Sequence, residues 1–434
     1  MRLRWLWVPL FLCGLCSSPA TADNRIIVRT KLGLQGLEQF CAGLGLIQNC
    51  TVVGGLGDPL NQLFVVTTPL DLTTFLNLLG NAPGFLDAEL DQLVSLIGGL
   101  NQVTVPPSGL SDTVAVSYFG STVWDGYANQ PAAQIVRVQE AQNTFQVTGT
   151  GIVADIDTGV DPNHPALQPV LLPGYDFTRN QPGGSEMTDF TGPPPSGSTS
   201  NVAQVNQSTA AVLDQSTAAV LDTNPQYAAF GHGTMVMGIV HLVAPTAQLL
   251  PLKAFSSNGT GFLSDILRAA YYAVENGANV INMSFDFKTN SPELSKAMDY
   301  ARANHVICAS SAGNDGVQET VFPAALQQDV MGVASTSDTD TRSSFSNYGN
   351  AIVWVAAPGE AIISTFPFST YGAGWGTSFS APFVSGASAL LLNLVSGINQ
   401  GRAAEAVAHA VPVGSGMGNG RLDLVQALQA GLIN

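Results

Sequence analysis

The sequence predicts an α/β protein: a doubly wound, mostly parallel sheet flanked by helices, preceded by a small α+β domain. Three observations lead there. Apolar, β-rich runs recur at Gly151–Ile156, Gln248–Leu252, Val280–Met283, Val306–Ala309, Val330–Ala334 and Ile352–Ala356. Helix-length segments, Leu263–Asn276 and Pro292–Ala303 among them, separate several of these runs. Strand–helix–strand repetition of this kind makes neighbouring strands parallel and puts helices on both faces. Ligand sites in such sheets lie beyond the carboxyl ends of the strands.

The chain opens on Met1-Arg2-Leu3-Arg4, which is positive, followed by an apolar run from Trp5 to Cys16 and then Ala20-Thr21-Ala22. That order is the one a secretory signal peptide has, so cleavage is expected after Ala22 and the remainder is expected outside the cell. The run is too short to span a bilayer comfortably.

Residues from about 25 to 95 read as a small α/β unit. Arg25–Arg29 alternates as a strand, Leu34–Leu44 has helical spacing, and Thr51–Val53 and Leu63–Thr67 are strand-like. Pro69-Leu70-Asp71 starts a second helix, which Gly80 and Asn81 stop. The stretch on to about 120, rich in Gly, Pro, Ser and Thr, reads as a linker. The expected plan is a signal peptide over 1–22, a small domain with linker over 23–115, and the large α/β domain over 116–434. An insertion at about 180–225 contains the tandem repeat Gln207–Asp214 and Gln215–Asp222. Two short copies are too few for a solenoid, so a surface loop is expected.

Charge excludes some functions. Lys and Arg number 15 against 31 Asp and Glu, a formal charge of −16. Nucleic acid and anionic membrane surfaces are not expected partners, because phosphate binding needs clustered basic residues. Of the five cysteines, Cys13 and Cys16 would leave with the signal peptide. Cys41 and Cys50 are close in sequence and in an oxidising compartment are expected to pair, the alternative being two free thiols. Cys308 lies in Val306-Ile307-Cys308-Ala309 and reads as a small buried hydrophobe.

Three segments carry chemistry. His232 is one of only five histidines and stands in Gly231-His232-Gly233-Thr234, where flanking glycines permit close approach to the ring. Ser378 stands in Gly376-Thr377-Ser378-Phe379-Ser380-Ala381-Pro382, ahead of the helical run Phe383–Leu394. A serine there either caps a helix or uses the helix dipole to favour a developing oxyanion. Asp157 ends the strand-like run before Thr158-Gly159, at the functional end of a parallel strand or in a simple turn.

Together the three occur in the order Asp, His, Ser, and the chain from about residue 130 onward resembles the subtilase family of serine peptidases. Asp161-Pro162-Asn163-His164-Pro165, Val243-Ala244-Pro245, Ala312-Gly313-Asn314, Ala357-Pro358-Gly359 and Gly418-Asn419-Gly420-Arg421-Leu422-Asp423 agree in order as well. The resemblance implies a subtilisin-like fold and a serine endopeptidase acting on proteins or peptides. Ser378 would be nucleophile, His232 general base and acid, and Asp157 its orienting partner, with Asn314 an oxyanion donor beside the Ser378 N–H. Substrate backbone would pair with Gly259, Thr260 and Gly261 on one side, facing Ser284, Phe285, Asp286 and Gly313 on the other.

The resemblance also makes the small domain an inhibitor-like propeptide of a self-processed zymogen, active as a monomer. A catalytically inactive binding protein is the alternative, against which all three triad residues and Asn314 speak. The sequence offers no GxSxG site of the lipase type. Two departures from the family pattern matter. Asp286 stands where a glycine commonly follows, and either attracts a basic P1 side chain or, as we expect, points into solvent. Ala166 stands where a family calcium site takes a carboxylate. No cofactor is therefore expected to be required and no metal ligands are assigned, with calcium elsewhere left open at Asp176, Asp189, Asp338 or Asp340.

Overall fold

All six apolar runs form strands: Ile152–Asp157, Gln248–Lys253, Val280–Met283, Ile307–Ser311, Met331–Thr336 and Val355–Pro358. In this computed structural model the described residues are 23–44, 50–80, 82–96, 106–191, 202–206, 210–212 and 225–433. The expected signal peptide, linker residues 97–105 and most of the 180–225 insertion, including all of its tandem repeat but 210–212, lie outside them. Two compact units are present, one reaching to Gly55 and covering Gln62–Leu90, the other made of Leu56–Asn61 and Asp91–Asn434.

The larger unit holds an eight-stranded sheet. Its order is Gln181–Pro182, Tyr175–Asp176, Gln248–Lys253, Ile152–Asp157, Val280–Met283, Ile307–Ser311, Met331–Thr336, Val355–Pro358. Every pairing is parallel except the outermost, Gln181–Pro182 with Tyr175–Asp176. Ile152–Asp157 is a central strand, and Asp157 at its carboxyl end lies opposite Lys253. Helices Leu263–Glu275 and Pro292–Ala303 fall where the spacing predicts them.

Two further helices carry the other chemical segments, His232–Val243 and Thr377–Leu394. The second starts at Thr377, six residues ahead of the predicted run, and takes Pro382 into its interior. The two helices pack so closely that a Cβ on Gly386 would lie 2.5 Å from Val243 Cβ. Only glycine allows that approach.

The stretch expected as a linker is folded from about residue 106. Ser108–Ser111 forms a 3₁₀ turn, and Ala115–Tyr118 pairs with Ser121–Trp124 as a hairpin. Leu110 is fully buried, Val123 joins the same core, and the Tyr118 hydroxyl donates to the Leu242 carbonyl. These apolar side chains outweigh the loop-like Pro, Gly and Ser content around them.

The smaller unit is an antiparallel sheet ordered Thr51–Gly55, Leu63–Thr68, Asn24–Thr30, Phe85–Leu90. Helices Gly33–Gly43 and Leu72–Leu79 accompany it, the latter capped by the Asp71 side chain. Its fourth strand, Phe85–Leu90, lies beyond the elements expected, although Leu86, Ala88 and Leu90 alternate with Asp87 and Glu89; Leu86 and Leu90 are exposed. Cys41 and Cys50 are joined as a disulfide and lie in the core with Ile26, Val28, Leu37 and Phe75.

Candidate active site

Asp157 and His232 meet because a strand end and a helix start converge. Asp157 is the last residue of its strand and His232 the first of its helix, with Gly231 at φ +90° turning the chain into that helix. His232 Nδ1 lies 2.7 Å from Asp157 Oδ1 and 2.9 Å from Oδ2. Two carboxylate oxygens at one ring nitrogen require the proton on Nδ1, which leaves the Nε2 lone pair free to accept. Nε2 is buried and has no hydrogen-bond partner among the described residues.

Ser378 is the second residue of its helix and is 1% exposed. Its Oγ donates to the Ser284 carbonyl at 3.0 Å, and Ser284 Oγ donates to the Ser378 carbonyl at 2.8 Å. The second bond has a sequence cause. Pro382 lacks the N–H that would have closed onto the Ser378 carbonyl four residues earlier, so that acceptor is left for Ser284. Ser284 in turn receives a bond from Asn282, whose amide also reaches Asp155.

Asn314 accepts from the Thr377 N–H at 2.9 Å and the Thr377 hydroxyl at 3.0 Å, both through Oδ1. An N–H donor can meet only the oxygen, so the amide is fixed with its NH₂ as the donating end. Preorganised donation of this kind, next to a serine at a helix N-terminus, suits a developing oxyanion.

The subtilase family, Peptidase_S8, matches residues 149–416, more than half of the chain. This protein is a subtilase. Thermitase of Thermoactinomyces vulgaris is 30% identical over 320 residues, which are 70% of this chain and 96% of thermitase. Subtilisin DY of Bacillus licheniformis is 37% identical over 175 residues, 38% of this chain and 64% of that protein. Among solved structures, a cold adapted subtilisin-like serine proteinase matches with TM-score 0.51 and 26% identity over 64% of this chain and 90% of that one. A lanthipeptide protease at TM-score 0.54 and 22% identity, covering 70% of this chain and 95% of its own, shares the fold. The subtilase is a serine-type endopeptidase, and its substrates are proteins.

The expected substrate edge carries a strand. Leu93–Ser95 pairs antiparallel with Thr260–Phe262, Ser95 opposite Thr260 and Val94 opposite Gly261. The Leu96 N–H donates to Gly259 O at 2.8 Å, and Asp91 accepts from the Ser264 N–H and hydroxyl, each at 2.8 Å. Val94 and Leu96 are buried while Leu93 is 63% exposed. That alternation is how an added strand fits a grooved edge.

On the other wall, the solvent reading of Asp286 does not hold. The residue is partly exposed, but its carboxyl is enclosed, with Oδ2 3.0 Å from where a Cβ on Gly313 would stand. Burial, then Asp315, pushes this carboxyl up to about 7. Lys288, beside it, is already paired with Asp315 at 3.3 Å and Glu319 at 2.8 Å. The physical reason is local: Gly313, at φ +92°, has no side chain to fill the space, and Asp286 enters it.

Sequence reading missed the buried charges around the pair. Asp155, two residues before Asp157 on the same strand, is fully buried, and its carboxyl is raised well above the usual range by burial and then by Asp157. Lys253 is 0% exposed and spends its three donors on Thr158 O, Phe255 O and Asp189 Oδ2. Glu186 is 0% exposed as well. Alternation at Ala154-Asp155-Ile156-Asp157 was the visible signal for Asp155; nothing local marked Glu186. Among the described residues no group of three or more His, Cys, Asp or Glu is arranged to hold a metal ion, and none of the helices is long and apolar enough to cross a membrane.

Proposed function

We propose that this subtilase is a secreted, self-processed zymogen whose catalytic triad is Asp157, His232 and Ser378. Ser378 Oγ attacks the substrate carbonyl carbon and passes its proton to His232 Nε2. Asp157 holds the tautomer and stabilises the imidazolium. The oxyanion is met by the Asn314 amide and the Ser378 N–H. Collapse expels the amine, which takes the proton from Nε2, and water then cleaves the acyl-enzyme by the same steps reversed. No cofactor takes part, and the enzyme acts as a monomer.

One observation supports the zymogen reading above others: the strand Leu93–Ser95 lies along Thr260–Phe262, the edge where substrate backbone is expected. The chain's own N-terminal region, from residue 23 to a point ahead of the buried Leu110, thus acts as propeptide, temporary inhibitor and folding aid, and is removed on maturation; the boundary expected near 115 falls inside the larger unit. The deciding experiment is Ser378→Ala in the full chain. The variant is expected to hydrolyse no peptide and to accumulate unprocessed, whereas full activity or normal processing would overturn the assignment.

We propose separately that the calcium site which many subtilases build with an acid at the position of Ala166 is lost here. The side chain of the buried Ala166 offers no oxygen to a hard cation, and the helix His232–Val243 runs into Ala244-Pro245 with no loop inserted. A calcium ion found bound at Ala166, with a large rise in melting temperature, would refute it.

A further inference from the structure

Glu186 is a buried acid that the steps above do not use. It begins the short turn Met187–Asp189, and its own N–H donates to Val160 O at 3.1 Å. The segment leading to it is pressed against the turn that follows Asp157: a Cβ on Gly159 would lie 2.6 Å from Gly184 O and 2.9 Å from Glu186 N. From there the carboxyl reaches chain neighbours of both Asp157 and His232.

Three donors converge on it. Glu186 Oε2 accepts from the Thr158 hydroxyl at 3.0 Å and from the Gly231 N–H at 2.8 Å. Glu186 Oε1 accepts from the Thr234 hydroxyl. Thr158 follows Asp157, Gly231 precedes His232, and Thr234 lies two residues beyond it. The Thr158 hydroxyl also accepts the Gly233 N–H at 3.0 Å, and the Thr234 hydroxyl accepts the Asp161 N–H at 2.8 Å. Both amides flanking His232 are therefore tied to this one carboxyl, Gly231 directly and Gly233 through Thr158.

The bonding fixes the charge as well. Each threonine oxygen already accepts an N–H, so its proton is aimed at Glu186. Three donors and no acceptor face the carboxyl, and the ionised form fits that set. Burial pushes Glu186 up to about 7, opposed by those three bonds and by Lys253. The other titratable groups around it are Asp155 and Asp157 on the neighbouring strand end and His232 on the helix whose start it holds. An anion at the first turn of His232–Val243 is also favoured by the helix dipole.

We propose that Glu186 is a positioning residue: its carboxylate holds the His232 helix start and the turn after Asp157 in the register at which Nδ1 meets both Asp157 oxygens. The inference rests on the triad reading above. A shift of the pair by a fraction of an ångström misdirects Nε2 while leaving the substrate edge untouched, so turnover suffers and binding does not.

The test is made first without turnover, on the full chain carrying Ser378→Ala. A proton held between an imidazole and a carboxylate gives a low-field NMR resonance, assigned here by its loss in Asp157→Asn. Adding Glu186→Gln is expected to shift that resonance upfield or broaden it away, with melting temperature little changed. An unchanged resonance would overturn the inference; absence of any such signal in the parent would instead sink the triad reading. In the active enzyme, Glu186→Gln is expected to lower kcat about 10–100-fold per titrated site, with KM within about twofold, and Glu186→Asp to restore part of it. Wild-type kcat in the glutamine variant would overturn the proposal. Should that variant not mature, Thr158→Val removes one tie alone, and the same loss is expected on a smaller scale.

Discussion

Asp286 turns its carboxyl toward Gly313, with Oδ2 3.0 Å from the place a Cβ would occupy, and Gly313 is joined directly to Asn314. On the site assignment proposed above, this acid lies beside Asn314, on the wall where the side chain of the residue bearing the scissile carbonyl would lie. Lys288, whose charge favours the ionised carboxyl, is shared between Asp315 and Glu319.

A basic P1 side chain is the expected beneficiary. Peptides with Arg or Lys at P1 should exceed matched Phe peptides in kcat/KM. Asp286→Asn should lower that ratio by about 10–100-fold, the worth of one charged hydrogen bond. Because burial raises the carboxyl to about 7, it is neutral below and ionised above that value. Preference for Arg should therefore grow as pH rises through about 7, and a flat ratio in the wild type would count against this role.

Asn314→Ala removes the amide that Thr377 holds in place. We expect kcat to fall by about 10²–10³, the loss found when a subtilisin is deprived of such a donor, with KM little affected. Steady-state kinetics on one peptide suffices, and a loss in KM alone would argue for a structural role.

Acid should unfold this protein partly through His241. Burial lowers this histidine from 6.5 to about 4, and the same holds for His164. The unfolded chain then binds more protons than the folded one between those values. Stability is retained above about 6.5 and lost as pH falls toward 4, by at most about 1.4 kcal/mol per pH unit for each histidine. His241→Gln should remove one such contribution, read as a smaller drop in urea-unfolding free energy between pH 6.5 and 4.5. Glu186 and Asp286 are present in both proteins and cancel in the comparison. Equal drops would refute the assignment.

Reductant should leave the mature enzyme active. The disulfide Cys41–Cys50 belongs to the smaller unit, and Cys308 is buried with its thiol pushed up to about 12. Dithiothreitol is expected to affect the precursor alone, and loss of mature activity in its presence would contradict this.

The sequence by itself determined the fold class, the six parallel strands and the three chemical segments. Those features are written in short-range terms: continuous apolar runs, glycines at fixed offsets, and an acid closing a strand. The Pro, Gly and Ser content after residue 95 was equally local and misled, because the burial of Leu110 and Tyr118 depends on partners such as Leu242, far along the chain. Only the tertiary structure decided where Asp286 points, since the space it enters belongs to Gly313, a residue of another loop. The same holds for Glu186. Its role depends on bringing Thr158, Gly231 and Thr234 around one carboxyl, and hydrogen bonds between segments this far apart leave no periodicity in the sequence to read.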